Sequence, residues 1–167
     1  MYRVKQFIWA AKSIFEKVDF DFVDKFLNED EKALFYKLSK SDKHHSIRVS
    51  KDAIEIVKDN SKYSNMDLDR VAKASLLHDI GKITGSLNII EKSVMVVLNR
   101  VTNGKIKSYE NIKQVDIYYN HPKKGRDLLK KLDAYDKEFL DSIRYHHEGY
   151  AKKNSLLEII KESDDKN

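Results

Sequence analysis

Leu76-Leu77-His78-Asp79-Ile80-Gly81-Lys82 is the stretch on which the reading of this chain turns. An apolar run of helical character ends in a histidine and an aspartate side by side. Neighbouring side chains on a regular helix point about 100° apart, so the two share a ligand only where the helix bends or stops. Ile80-Gly81 supplies a place to stop, because glycine readily takes the backbone angles of a helix end. The pair therefore reads as two metal ligands at a helix terminus, with the remaining ligands due from elsewhere.

Working outward, the apolar residues recur at helical spacing. Phe7, Ile8, Ala11, Ile14 and Phe15 form one face, and Phe20, Phe22, Val23, Phe26 and Leu27 a second cluster on a short helix. Asn28 is placed to cap a helix running to about Ser39, with acids in its first turn. Ser41-Asp42 opens the next, which carries Ile47, Ile54 and Val57. Asn60 to Asn65 reads as a loop. Asp67 caps the helix that runs into His78. Ile89 to Val101 is apolar and stops at Asn103-Gly104, followed by a polar loop. His121-Pro122 places the proline at the first position of a helix through Leu128, Leu129 and Leu132. Residues 136–147 and 155–163 make the last two. No strand alternation and no internal repeat is visible. One proline and five glycines in 167 residues fit long helices with few tight turns. The expectation is an all-α fold of eight to ten helices forming a single domain over 1–167. Helices within 1–40 would pack on a core spanning 41–165.

Composition narrows the chemistry. Hydrophobic residues are 41% and charged residues 35%, a globular balance. There is no cysteine, so disulfides and thiolate ligation are excluded and any metal must be held by histidine and carboxylate. The absence of cysteine fits a reducing cytoplasm. The N-terminal apolar patch is broken by Lys12, Glu16 and Lys17, and no run reaches membrane-spanning length, so no membrane association is expected. The net charge of +5 is spread among acids, which fits a polyanionic small molecule. Without an aromatic-basic stripe, it does not point to a nucleic-acid groove. All six histidines, His44-His45, His78, His121 and His146-His147, lie at expected helix ends. A cysteine-free chain that groups its histidines this way is arranged like a metal protein.

Five segments, in order, carry a resemblance to a known family. They are His45-Ser46-Ile47-Arg48-Val49, Leu76 to Lys82, His121-Pro122-Lys123-Lys124-Gly125, His146-His147-Glu148, and Ile159-Ile160-Lys161-Glu162-Ser163-Asp164. Together they resemble the HD-domain superfamily of metal-dependent phosphohydrolases. The pattern is closest to the subgroup written HDIG and shares features with the HD-GYP cyclic dinucleotide phosphodiesterases. The resemblance implies that His45, His78, Asp79 and Asp164 hold one metal. It implies that His121, His146 and His147 hold a second, with Asp79 bridging and His44 a neighbour rather than a ligand. All-His/carboxylate ligation suits Fe, Mn, Ni, Co or Zn better than Mg. Two such ions about 3.5–4 Å apart would activate a water and take up phosphoryl charge. Lys82 is placed to meet a phosphate oxygen, so Asp79 and Lys82 are the expected catalytic residues. Lys124 and Arg126 are candidates for further positive charge at the mouth. The implied substrate is a phosphorylated small molecule, a nucleotide or a cyclic or linear dinucleotide. The alternative is a non-catalytic nucleotide-binding signalling module. Two departures bear on specificity. Ala151 replaces the proline of a GYP motif, and Ser41 stands where some relatives carry a third-metal glutamate.

Overall fold

Side-chain caps set where the helices begin. In the computed structural model, which describes residues 16–85, 87, 89–148 and 153–167 (only the backbone for Ile89 and Lys92), Asp19 accepts from Phe22 N at 3.1 Å and starts α1, Phe20–Phe26. Asn28 and Glu31 form a reciprocal capping box at the head of α2, Glu29–Phe35. Ser39 caps α3, Lys40–Asp59, accepting from the Asp42 backbone at 3.2 Å. The helix thus opens at Ser39 rather than at Ser41-Asp42, and Asp42 sits on its first turn. Asp67 caps α4, Leu68–Leu77, as expected. The chain continues through α5 (Ile89–Val101), α6 (Lys113–Lys130), α7 (Lys137–Tyr145) and α8 (Ser155–Lys166). Short 3-10 turns occupy Ser61–Tyr63, Ile80–Thr84 and Lys105–Ser108, two of them within segments read as loops. Among the described residues the fold is all-α, with eight helices and no strand. None is long and apolar enough to cross a membrane. The expected face from Phe7 to Phe15 and the Gly149-Tyr150-Ala151 segment lie outside the described residues.

Helix α4 is the centre of the packing. Val71, Ala72, Ala74, Leu76 and Leu77 are all fully buried, as befits a helix that is apolar on most of its circumference. It lies against α3, α8, α7, α1 and α2. Burial of Leu76 and Leu77 contributes ~1.5–3 kcal/mol each. Ser50 Oγ donates to the Ala72 carbonyl at 3.0 Å and ties α3 to α4 inside the core. Val23, Leu27, Phe35 and Leu38 belong to the same core as Ile159 and Ile160, so α1 and α2 share one apolar interior with the later helices.

Glu31 reaches beyond its capping role. It is 1% exposed, accepts from the Asn28 amide at 2.8 Å and from Lys73 Nζ at 2.9 Å, and takes a hydrogen bond from the Tyr135 hydroxyl. Three distant segments thus meet on one carboxylate. Glu31→Ala is expected to lower unfolding free energy by ~1–3 kcal/mol, because it removes the buried carboxylate on which three part-buried donors converge. Urea melts measure it, and a loss below ~1 kcal/mol would show that the network does not hold these segments together.

Pro122 departs from expectation. It lies inside α6 rather than at its first position. Proline has no N–H, so the Tyr118 carbonyl four residues back loses its helical donor. The ring of His121 takes that place: its Nδ1 lies 3.0 Å from the Tyr118 carbonyl and 3.1 Å from that of Ile117. The proline is accommodated because the preceding side chain satisfies the group it frees, and the same contact orients His121.

Candidate metal centre

The end of α4 is built by a change of helix type. His78 keeps helical backbone angles, Asp79 moves to φ −98° and ψ 9°, and the chain tightens into the turn Ile80–Thr84. This turns Asp79 toward the side that His78 faces, with His78 Nε2 3.4 Å from Asp79 Oδ2. Gly81 does not do this by adopting a left-handed conformation. Gly104 is the one glycine among the described residues with positive φ. What Gly81 provides is room: a Cβ there would overlap the His121 carbonyl oxygen and stand 2.6 Å from Gly125 N. The turn after α4 therefore packs backbone to backbone on α6, and this brings Asp79 to His121.

Four further elements deliver the remaining groups. α3 carries His45, α6 His121, the residues after α7 His146 and His147, and α8 Asp164. His45 Nε2 lies 3.0 Å from Asp164 Oδ1 and 3.6 Å from Asp79 Oδ2. His121 Nε2 is 3.2 Å and His146 Nε2 3.8 Å from the other oxygen, Asp79 Oδ1. His147 Nδ1 is 3.7 Å from Asp164 Oδ2. The seven residues singled out in the sequence all meet here. Six of them divide into two groups whose ligand atoms lie within 4.8 Å of one another: His45, His78 and Asp79 in one, and Asp79, His121, His146 and His147 in the other. Asp164, expected beside His45, falls in neither group and meets the cluster through His45 and His147. His44 joins neither, and Asp165 is exposed. Lys124 pairs with Asp116, and Arg126 with Asp127 at 2.8 Å, rather than with the carboxylates of the cluster.

The protonation states suit metal ligation. The Nδ1 atoms of His78, His121 and His146 each point at a main-chain carbonyl, those of Ser75 (2.7 Å), Tyr118 (3.0 Å) and Ile143 (2.7 Å). A carbonyl only accepts, so each Nδ1 bears the proton and each Nε2 is left with its lone pair. Those three Nε2 atoms and Asp79 Oδ1 are buried without a hydrogen-bond partner. Unpaired buried polar atoms are costly, and here four converge with lone pairs facing one another. A divalent cation is the partner this donor set fits. Burial pushes His78 below the usual histidine range, and burial with the charges of His147 and His78 pushes His146 well below it. Burial would raise Asp79, but Lys82, His78 and His121 outweigh it and hold the carboxyl ionised. Burial likewise opposes ionisation of Asp164, and the hydrogen bond and charge of His45 override it.

A scan of protein-family models matches the HD domain over residues 43–166, a span that holds all seven residues. The chain belongs to the HD domain family. Neither the curated proteins nor the solved structures contain a significant match. The HD domain family comprises metal-dependent phosphohydrolases, and the His/Asp cluster of this HD domain is its candidate metal site.

Lys82, the other expected catalytic residue, lies at the edge of the cluster. Its Nζ is in contact with Asp79 Oδ2 and lies 4.0 Å from Asp42 Oδ1. Burial would lower its pKa, but the charges of Asp79 and Asp42 raise it, so it is a fixed ammonium. Asp42 is the residue that sequence reading missed. It lies one residue before the matched span, one helical turn ahead of His45, and is 3% exposed. Its spacing of three from His45 was the available signal, but an acid in a first turn reads equally well as a helix-dipole residue.

A pH dependence follows. Two buried histidines with depressed pKa values stay neutral in the fold and protonate near 6.5 when unfolded. Above that pH they contribute no slope. Below it the unfolded chain binds the extra protons, so stability falls. The metal-free HD domain is expected to lose stability as pH drops below about 6.5, because the unfolded chain then binds protons at His78 and His146 that the fold does not. The contributions of Asp79 and Asp164 are lost only below the ordinary aspartate pKa of 3.8. Denaturant melts from pH 8 to pH 5 test this, and an unchanged midpoint would contradict it.

Proposed function

We propose that this HD domain is a phosphohydrolase of the HDIG type that holds two divalent ions and cleaves a phosphomonoester or phosphodiester bond of a nucleotide or a cyclic or linear dinucleotide. One observation carries the two-ion reading. Asp79 turns Oδ2 toward His45 and His78, and Oδ1 toward His121 and His146. A carboxylate so divided serves as a bridge between two ligand groups. A one-ion centre on His45, His78, Asp79 and Asp164 would leave the buried Nε2 atoms of His121 and His146 without a role.

Bound ions of this kind would supply a water acidified toward neutral pH and positive charge for the phosphoryl oxygens. The chain supplies the rest. The histidine rings are locked by main-chain carbonyls, so their lone pairs are aimed before any ligand arrives. His147, with 48% of its side chain exposed, is the open side of the cluster and the direction from which substrate approaches. Lys82 keeps an ammonium at the edge of Asp79, where a phosphoryl oxygen can be met. The net charge of +5 favours encounter with a polyanion.

The test is hydrolysis of a panel of phosphomonoesters, phosphodiesters and dinucleotides by protein loaded in turn with Mn, Fe, Co, Ni and Zn, with metal content measured alongside. Turnover that saturates at two ions per chain is expected. Two bound ions with tight nucleotide binding and no product would instead make the domain a binding module.

A further inference from the structure

Asp79 Oδ2 faces two claims at once. It is the oxygen turned toward His45 Nε2 and His78 Nε2, at 3.6 and 3.4 Å, and it is also in contact with the ammonium of Lys82. A divalent ion on that oxygen would stand close to a fixed positive charge, which weakens its binding by Coulomb repulsion. The chain holds a buried group that addresses this. Asp42 Oδ1 lies 4.0 Å from Lys82 Nζ. Its other oxygen is tied to Ser39 Oγ at 2.5 Å, and its backbone N donates to the same Oγ at 3.2 Å. Asp42 is thereby held at the head of α3, one turn before His45. A shift of Lys82 Nζ by about 1 Å toward it would make a normal hydrogen bond.

We propose that Asp42 is a positioning residue for the His45–His78 side of the centre: it receives the Lys82 ammonium when a divalent cation takes Asp79 Oδ2, and so sets the affinity of that side for metal. The inference rests on the reading of the cluster as a two-ion centre. Asp42 acts through Lys82 and need not touch the metal. The effect is confined to one side, because Lys82 faces Oδ2 and not the Oδ1 that serves His121 and His146.

The experiment is calorimetric titration of the metal-free full chain with Co²⁺, comparing wild type, Asp42→Asn, Lys82→Met and the double variant. Asp42→Asn keeps a hydrogen-bonding side chain for Ser39 while removing the charge. It is expected to weaken one of two binding events about 10-fold and to leave the other within about 2-fold. Lys82→Met is expected to tighten the same event, because the competing charge is gone. In that background Asp42→Asn should change nothing further, which is the signature of action through the lysine. Equal weakening of both events, no weakening, or the same effect of Asp42→Asn with and without Lys82 would each overturn the proposal. Should Asp42→Asn fail to fold, Lys82→Met alone decides, since unchanged or weaker binding contradicts the competition. Wild-type protein that binds fewer than two ions would instead overturn the two-ion reading.

Discussion

Asp79→Asn is expected to abolish the centre while leaving the fold in place. The substitution conserves shape and removes the charge on which both groups converge. Asp79 Oδ2 faces His45 and His78, and Oδ1 faces His121 and His146, so one residue serves both sides. On the proposed two-ion phosphohydrolase reading, metal content should fall from two ions per chain to below one, and activity by at least 10²–10³-fold, roughly the size of loss when one preorganised electrostatic group is removed from an active site. The variant also leaves the Lys82 ammonium with Asp42 as its remaining carboxylate neighbour among those in contact here, so a moderate loss of thermal stability should accompany the effect. Elemental analysis of the purified variant, with circular dichroism as the fold control, checks this. Retention of two ions at wild-type affinity would show that Asp79 is not the bridge.

The second large effect is expected at a residue with no side chain. Gly81→Ala places a methyl group onto the His121 carbonyl oxygen and 2.6 Å from Gly125 N, and neither backbone atom can move without displacing the helix that holds His121. Overpacking of side chains typically costs ~1–3 kcal/mol, and this clash is with main chain, so a loss of at least ~3 kcal/mol is expected. Loss of metal should come with it, because the same contact sets the separation of Asp79 and His121. Gly125→Ala is the comparison. Its Cβ would meet Gly81 N at 3.1 Å and Ile143 Cγ2 at 3.4 Å, so a milder loss of about 1–2 kcal/mol is expected. Thermal melts and metal analysis of the two variants decide it. Equal and small effects would mean that the turn does not depend on the close approach.

Much of the fold was legible because helical signals are local. Asn28 and Asp67 cap helices through bonds spanning two or three residues, and the apolar stripe of α4 needs nothing beyond itself to be recognised, whereas Ser39 rather than Ser41-Asp42 caps α3, because consecutive polar residues offer the same local signal. The readings that changed were those in which a side-chain or backbone contact, rather than residue type and spacing, supplies the reason. Pro122 lies within α6 because the ring of His121 satisfies the carbonyl that the proline frees, whereas a proline read alone marks a helix start. Gly81 is needed for the approach of α6, about forty positions along the chain, and a glycine after an apolar helix reads just as well as a terminator. Asp42 looked like an ordinary first-turn acid until the turn after α4 brought Lys82 beside it.

The sequence by itself determined the all-helical class and the absence of thiolate chemistry, since residue type and spacing along a helix are properties of the chain alone, and its family resemblance implied the seven His/Asp positions. Only the tertiary structure decided which oxygen of Asp79 faces which histidines, which ring nitrogens keep their lone pairs, and that Lys82 lies close to both Asp79 and Asp42. Those facts depend on backbone carbonyls and side chains brought together from α3, α4, α6, α7 and α8, and pairwise distances between elements so far apart in sequence are fixed by packing rather than by any local pattern.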